Sequence, residues 1–548
     1  MEKKTETCPF CGRDGRKGNY KLADNPCPLL DDAPCQPCQE MEVLEAQIAD
    51  AESVLSSLLK RHQEVRRAMN TNHDRLLKKV PSEILSHIFK FAVEAWFHDC
   101  LRTQSVPDPF ADRIYSAGKS LPIPLVLGSI CQQWRRIAWR SPELWTFLMV
   151  EVGNVKSQER YLLIIEWLLR SGSLPLTIHV FGDSHLPLDE AMVFNVIYLI
   201  NQCSERWRNL ILSVPSVLVP LFDGRAGNPQ PTVLSNLYLE IVGNRRDISE
   251  GNFQVINTII PSPRVVGIAG FLAHNAHIHW SNIHTLSLCR VFFQNCMQTL
   301  RQIPRLEDLS LQWMSDSGEQ LSSEELSIPT LVTLSFYCQN AYKINGKHLL
   351  HYFHLPNLKK FLFDGSKQYF SSLCEVHSFL SSCSPEELKI AIKTHSTPKL
   401  SVAETLLRHP SIRYLEVNSA HHDMLDIFSH GYPSSLFSWW NEPLLPNLEY
   451  LKIKHISVFY LGYRWSIILE VLNGPQRQSL RYLELIFVYN DVHDRQTFQI
   501  DKDVINQILL CRTAGKTVKI FLECKNAKYD LLEDAIRNMM RAEGQVSL

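Results

Sequence analysis

Apolar and polar positions follow three rhythms along this chain. From Leu44 to Leu76 apolar positions recur in alternating steps of four and three: Leu44, Ile48, Ala51, Leu55, Leu58, His62, Val65, Met69, Asn72 and Leu76, with no Pro or Gly between them. Held over several heptads, that spacing predicts one long helix with a coiled-coil seam, weakened at Ala51, His62 and Asn72. The seam can pair with a second copy or fold back on the body, and the sequence leaves both open. The second rhythm starts at Val80. Pro81 suits a first helical position and Glu83 the positive end of the helix dipole. Ile84, Ile88, Phe91 and Ala95 then fall on one helical face, and Leu85, Phe89, Ala92 and Trp96 on another. A short helix that is apolar on two sides must cover one stripe within its own domain and the other against something else. Further on, Ile130, Trp134 and Ile137 share a helical face with Ser129 as a cap, and Ser141-Pro142-Glu143 restarts a helix carrying Leu144, Trp145 and Leu148.

The third rhythm fills the rest of the chain. Pro304, Pro329, Pro356, Pro410 and Pro446 are each followed by apolar residues at offsets of two, five and seven: Leu306/Leu309/Leu311, Leu331/Leu334/Phe336, Leu358/Phe361/Phe363, Ile412/Leu415/Val417 and Leu448/Leu451/Ile453. Copies without the Pro occur at Trp207/Leu210/Leu212, Leu234/Leu237/Leu239, Ile283/Leu286/Leu288 and Leu480/Leu483/Leu485, and Leu388 with Ile390 fills the gap before Pro410. This resembles the L-x-x-L-x-L signature of a leucine-rich repeat, in which x-L-x-L is a short strand and each strand–helix unit buries its apolar side by stacking on the next. Segments such as Cys296–Ile303, His348–His354 and Val402–Arg408 read as the helices. The family's asparagine after the last Leu is missing, since Met314, Gln339 and Ser366 stand in its place, so a regular asparagine ladder is not expected.

The residues from Leu76 to Leu148 carry a second resemblance. Val80-Pro81-x-x-Ile84-Leu85-x-x-Ile88-Phe89, then Ser129-x-Cys131-x-x-Trp134-x-x-Ile137-Ala138, then Ser141-Pro142-x-Leu144-Trp145 is similar to an F-box. Val80 replaces the usual Leu, and residues 97–121, rich in Pro and polar groups, form an insertion expected to be an exposed loop. The resemblance implies a three-helix unit that docks on the Skp-type adaptor of a cullin–RING ubiquitin ligase, with Val80, Pro81, Ile84, Leu85, Ile88, Phe89, Trp134, Leu144 and Trp145 forming or supporting the docking surface. The plan as a whole looks most like the large F-box families of mushroom-forming fungi. An ordinary buried helical hairpin is the plainer alternative.

Composition narrows the classes. The chain has 548 residues, 45% hydrophobic and 21% charged, with a net charge of −1. It should hold several domains with ample core material, and no general pull toward nucleic acid or anionic membrane is expected. MEKKTETCPF has no apolar signal core, and the run Tyr161–Leu169, interrupted by Glu166, is too short to span a bilayer. The expectation is a soluble intracellular protein, in cytoplasm or nucleus. Most of its 15 cysteines sit singly in apolar segments, as small buried hydrophobes do.

Residues 1–40 differ from the rest. Cys8-Pro9-Phe10-Cys11 and Cys35-Gln36-Pro37-Cys38 are two C-x2-C pairs in a stretch too polar for a core. Four thiolates in tight pairs can hold a structural zinc ion tetrahedrally; the alternative is a disordered tail with free thiols. His421-His422-Asp423 reads as a solvated loop. No P-loop, H-E-x-x-H, G-x-S-x-G or dinucleotide fingerprint is present in the sequence, so no catalytic site is expected.

The sequence therefore reads as an α/β protein: a leucine-rich-repeat-like solenoid over 150–548, preceded by a three-helix F-box over 78–148, a coiled-coil helix over 41–77 and a Cys-rich segment over 1–40. The resemblance implies the substrate-recognition subunit of a Skp–cullin–F-box ligase, whose repeats bind an unidentified target protein; a non-degradative interaction scaffold is the rival. Within each L-x-L the middle residue points away from the core. Those residues include Ser310, Ser335, Leu362, Glu416, Lys452 and Glu484, and Tyr414, Tyr450 and Tyr482 occupy equivalent places beside the last three. Aromatic residues exposed in register are good contact anchors, which marks this stretch as the target-binding candidate; the alternative is that a sheet face tolerates Tyr.

Overall fold

The computed structural model describes residues 36–73, 80–102, 122–154, 158–182, 190–224, 233–243, 252–255, 260–315, 325–337, 343–344, 347–365, 374–392, 409–419, 445–457, 465–473, 478–489, 500–524 and 527–542. The chain divides into two compact units, Met1–Leu85 and Ser86–Leu548. In the first, the heptad stretch forms one continuous helix, α1 (Gln36–His73). Its large apolar side chains, among them Val43, Leu44, Ile48, Leu55, Leu58, Val65 and Met69, are all exposed.

Helix α2 (Ser82–Arg102) begins at the end of the first unit and carries on into the second. Its length corrects one expectation. Residues 97–102 are the last turns of this helix rather than part of an exposed loop. Phe97 is buried there, with its ring 4.8 Å from that of Phe147. Two short helices follow, α3 (Ile123–Ile130) and α4 (Gln132–Arg140). They are separate because Cys131 is fully extended, and its Sγ accepts the Trp134 N–H at 3.4 Å as the cap of α4. The expected cap, Ser129, instead donates to the Val126 carbonyl at 2.7 Å. Ile130 therefore ends α3, exposed, and does not share the helical face of Trp134 and Ile137. Residues Pro142–Trp145 form a single 3-10 turn, and the first strand follows at Phe147–Glu151.

From that strand onward the chain builds one fifteen-stranded sheet, with the strands laid down in chain order. The first fourteen are parallel, and the last, Ala527–Asp530, runs antiparallel to Thr517–Cys524. The apolar triads set the register. Leu286 pairs with Leu309, Leu309 with Leu334, Leu334 with Phe361, Phe361 with Leu388, Leu388 with Leu415, Leu415 with Leu451 and Leu451 with Leu483. All these residues are buried. The fold is thus mixed α/β, with a large, mostly parallel sheet. Helices occupy several of the crossovers, among them α5 (Gln158–Arg170), α6 (Glu190–Asn201) and α7 (Phe293–Leu300). Leu349–Tyr352, within the segment expected to be a helix, forms a 3-10 turn, while Val402–Arg408 and His421–Asp423 lie outside the described residues.

The recurrent Pro has a local cause. It occupies the second position of a turn in which the N–H of the following apolar residue returns to the carbonyl before the Pro: Leu331 to Ile328, Leu358 to Leu355, Ile412 to His409 and Leu448 to Leu445. Pro pre-sets the φ that this corner needs. The residue after the Pro then ties neighbouring turns together. Asn357 donates to the Pro329 carbonyl at 2.8 Å, Asn447 to Pro410 at 2.9 Å and Ser411 to Pro385 at 2.9 Å. Side-chain bonds between successive turns at the strand entrance thus satisfy the Pro329, Pro385 and Pro410 carbonyls.

One glycine is required by packing. Gly267 lies between Tyr238 and Ser287 on neighbouring strands, and a Cβ on it would stand 2.4 Å from the Tyr238 ring. Overpacking of this kind costs about 1–3 kcal/mol, so Gly267→Ala should destabilise the sheet by that amount, and adding Tyr238→Ala should remove most of the interaction penalty. Denaturant unfolding of the four members of this cycle measures it; strictly additive losses would show that the ring moves aside freely.

Candidate functional site

Two groups of residues were expected to carry function. The first centres on α2. Its apolar positions separate into two stripes with opposite fates, but the buried one continues from Phe89 to Val93 and Phe97, and the expected Ala92 and Trp96 are only half-buried. Leu85, Phe89, Val93 and Phe97 are 1–5% exposed, while Ile84, Ile88 and Phe91 are 50%, 52% and 70% exposed. Val80 is half-buried and Pro81 exposed just ahead of the helix, where the Pro81 carbonyl accepts the Leu85 N–H at 3.2 Å. Of the nine residues implied for adaptor docking, Leu85, Phe89, Leu144 and Trp145 are buried and can only support a surface. Half-buried Trp134 packs on Phe89 with ring centroids 4.8 Å apart. Phe91 and Ile130, both exposed, were absent from that set. The stripe pattern identified Phe91; the break at Cys131 that frees Ile130 has no clear sequence signal.

An aromatic cluster holds this helical region. Trp145 is 1% exposed and meets Trp139 and Trp167 edge-on at 5.3 and 4.7 Å. Its Nε1 donates to the Ala138 carbonyl at 2.8 Å. The Arg170 guanidinium lies 5.0 Å from the Trp139 ring centre and 5.2 Å from that of Trp145. Ser141 donates to the Ile137 carbonyl at 2.8 Å, which spends its proton and makes Ser86 the donor in their 2.6 Å contact. This hydrogen bond fixes α2 to the end of α4.

The second group lies on the sheet. Tyr414, Tyr450 and Tyr482 are in register on adjacent strands. Their rings stack at 4.2 Å for each pair, tilted by only 13° and 8°. Stacking leaves them half-buried, so they form a continuous ladder rather than three separately exposed anchors. Beside them runs a row of alternating charge: Lys389, Glu416, Lys452, Glu484 and Lys519 occupy one register line. Glu484, 5% exposed, is its hub. Lys452 and Lys528 approach its Oε1 at 3.0 and 3.3 Å, and Tyr482 and Tyr450 donate to its Oε2 at 3.0 and 3.3 Å. Glu416 pairs with Lys454 and lies 3.9 Å from Lys389.

Burial is the largest influence on Glu484 and pushes its carboxyl upward. The hydrogen bonds from Lys452 and Tyr482 and the lysine charges outweigh it and hold the group below the ordinary glutamate value. Burial first, then Glu416, raises the Tyr414 hydroxyl; burial first, then the neighbouring Tyr414, raises that of Tyr450. A carboxyl depressed in the folded state stabilises above its unfolded value, and that stability is lost as pH falls through the folded value. Glu484→Gln should therefore cost about 2–3 kcal/mol near neutral pH, where the lysines lose their counter-charge, and the gap to the parent should close below about pH 4. Chemical unfolding at both pH values checks this. A gap independent of pH would mean that the carboxylate charge is not what matters.

Cys8, Cys11 and Cys35 lie outside the described residues; Cys38 is in α1, but its side chain is not described. Among the described residues no cluster of His, Cys, Asp or Glu could hold a metal ion, and no helix is long and apolar enough to cross a membrane. No protein-family model and no curated protein matches this sequence. The class that the coordinates define is a mixed α/β protein with a large, mostly parallel sheet preceded by a small helical unit.

Proposed function

We propose that this chain is an F-box protein with leucine-rich repeats, acting as the substrate-recognition subunit of a Skp–cullin–F-box ubiquitin ligase. The observation that carries the reading is α2, whose one apolar stripe is buried while Ile88 and Phe91, with Ile84 a turn earlier, stand exposed on the other. Water-exposed large apolar residues in a row mark a protein-docking surface. The remaining plan supports it. The parallel strands follow one another in chain order, and each apolar triad falls on one of them, as in the stacked units of a repeat solenoid. Such a protein catalyses nothing; it raises the effective concentration of a target lysine near the charged ubiquitin carrier.

The target is proposed to bind the sheet face around Tyr414, Tyr450 and Tyr482, whose ladder offers a rigid surface edged by Glu416, Lys452 and Glu484. Affinity capture of the full chain from cells, alongside an Ile88→Asp, Phe91→Asp variant, tests the reading. A Skp-type adaptor and cullin should accompany the parent and not the variant, and proteins held by both should accumulate when only the variant is expressed. A parent that captures no adaptor overturns the proposal. Captured adaptor with unchanged target levels would favour the scaffold reading.

A further inference from the structure

Among the described residues of its own unit, nothing covers the long helix α1. Its charge is divided along its length. Residues 36–54 hold Glu40, Glu42, Glu45, Asp50 and Glu52 and no basic residue; residues 55–73 hold Lys60, Arg61, Arg66 and Arg67 against the single Glu64. Helix-dipole preferences act within the first and last turns, yet Asp50, Glu52, Lys60 and Arg61 lie near the middle. Its large apolar seam residues are about half exposed throughout, from Leu44 through Ile48, Leu55, Leu58 and Val65 to Met69.

We propose that α1 pairs with α1 of a second copy of this chain in an antiparallel coiled coil. Both sequence features favour that partner and that direction. In the antiparallel register centred between Leu55 and Leu58, Leu55 meets the second copy's Leu58, Ile48 meets Val65, Met69 meets Leu44, and bulky His62 meets small Ala51. Two of the three weak seam residues, His62 and Ala51, are then matched by size. Glu45, which flanks the seam, faces Arg66 at both ends, and the acidic half of each helix lies along the basic half of the other. The parallel, in-register alternative sets His62 on His62 and leaves a gap at Ala51. It also brings Arg61 against Arg66 twice and stacks acidic half on acidic half, which repels. Partner choice in coiled coils is set by such flanking charges. This inference does not depend on the ligase reading, because it rests on α1 alone.

The test is light scattering of the full-length chain over a concentration series. The expected result is a particle of twice the 63.1 kDa chain mass. Leu55→Asp with Leu58→Asp should return it to a monomer. A parent monomeric at every concentration, including one whose helix folds back on its own body, overturns the proposal, as does a dimer that survives that variant. Arg66→Glu reads the direction. In the antiparallel pair it should weaken dimerisation about tenfold, and adding Glu45→Arg should restore it. A parallel pair would instead tighten on Arg66→Glu, since Arg61 would gain a partner. Tightening, or no change in either variant, overturns the antiparallel assignment.

Discussion

Replacing Ile88 and Phe91 with Asp should leave the chain folded and abolish capture of a Skp-type adaptor. Both side chains are more than half exposed, so their loss removes nothing from the core. Burying a large apolar side chain in an interface contributes roughly 1.5–3 kcal/mol, so two together contribute about 3–6 kcal/mol. A carboxylate forced into that interface adds an unpaired charge. Affinity should therefore fall more than about a hundredfold, to background in a pull-down. The comparison that gives the result meaning is Leu85→Ala with Phe89→Ala. Those residues are 5% and 1% exposed, and their truncation reports on folding before it reports on docking. Unchanged adaptor binding by a folded Ile88→Asp, Phe91→Asp chain would remove α2 as the docking element.

The largest stability effect is expected at Trp145. Its ring is enclosed by Trp139, Trp167 and the Arg170 guanidinium, and its N–H is spent on Ala138. Truncating a buried Trp typically costs about 3–5 kcal/mol, through lost transfer energy and the cavity left behind. Here the Ala138 carbonyl also loses its donor, and Arg170 loses an aromatic face. Trp145→Ala should fall near the top of that range, with Trp145→Phe between it and the parent. Chemical unfolding followed by tryptophan fluorescence measures both. A loss under about 1 kcal/mol would mean that the neighbouring rings close the gap, and that the cluster is not what holds the helical region together.

Much of this architecture was legible because it repeats. Five prolines with apolar residues at fixed offsets named the strands, and the same offsets placed Leu388 and Ile390 correctly in a repeat without that Pro. Helical spacing alone gave the exposed stripe of Ile84, Ile88 and Phe91 and the buried Leu85 and Phe89, but put Ala92 and Trp96 where Val93 and Phe97 are buried. What escaped had weaker or non-local signals. Strands Val265–Ala269 and Thr517–Cys524 carry Val and Ile at the leucine positions, so the triad pattern misses them. The helix break at Cys131 depends on a backbone angle that no proline or glycine announces. The tyrosines were assigned to the right face, but as separate anchors. Neighbouring strands lie about 4.8 Å apart, so rings in register cover one another's faces. Lys389 was passed over because its repeat lacks the Pro in the usual place, although its sign continues the alternation that Glu416, Lys452 and Glu484 begin.

The order of strands in the sheet has a consequence for synthesis. Among the described residues, no two paired strands lie farther apart in sequence than those that match Leu415 with Leu451. Parallel pairing is ordinarily slow, because the chain must close long loops before contacts repay the entropy. In this chain each strand finds its template in the segment translated just before it. The ribosome can therefore deliver the sheet row by row, and an emerging segment waits only for its own residues. The sheet also closes with a reversal: Ala527–Asp530 turns back along Thr517–Cys524 and leaves a four-residue border in place of an eight-residue one. A short border is a poor template for a stranger's strand, so this edge resists growth by addition.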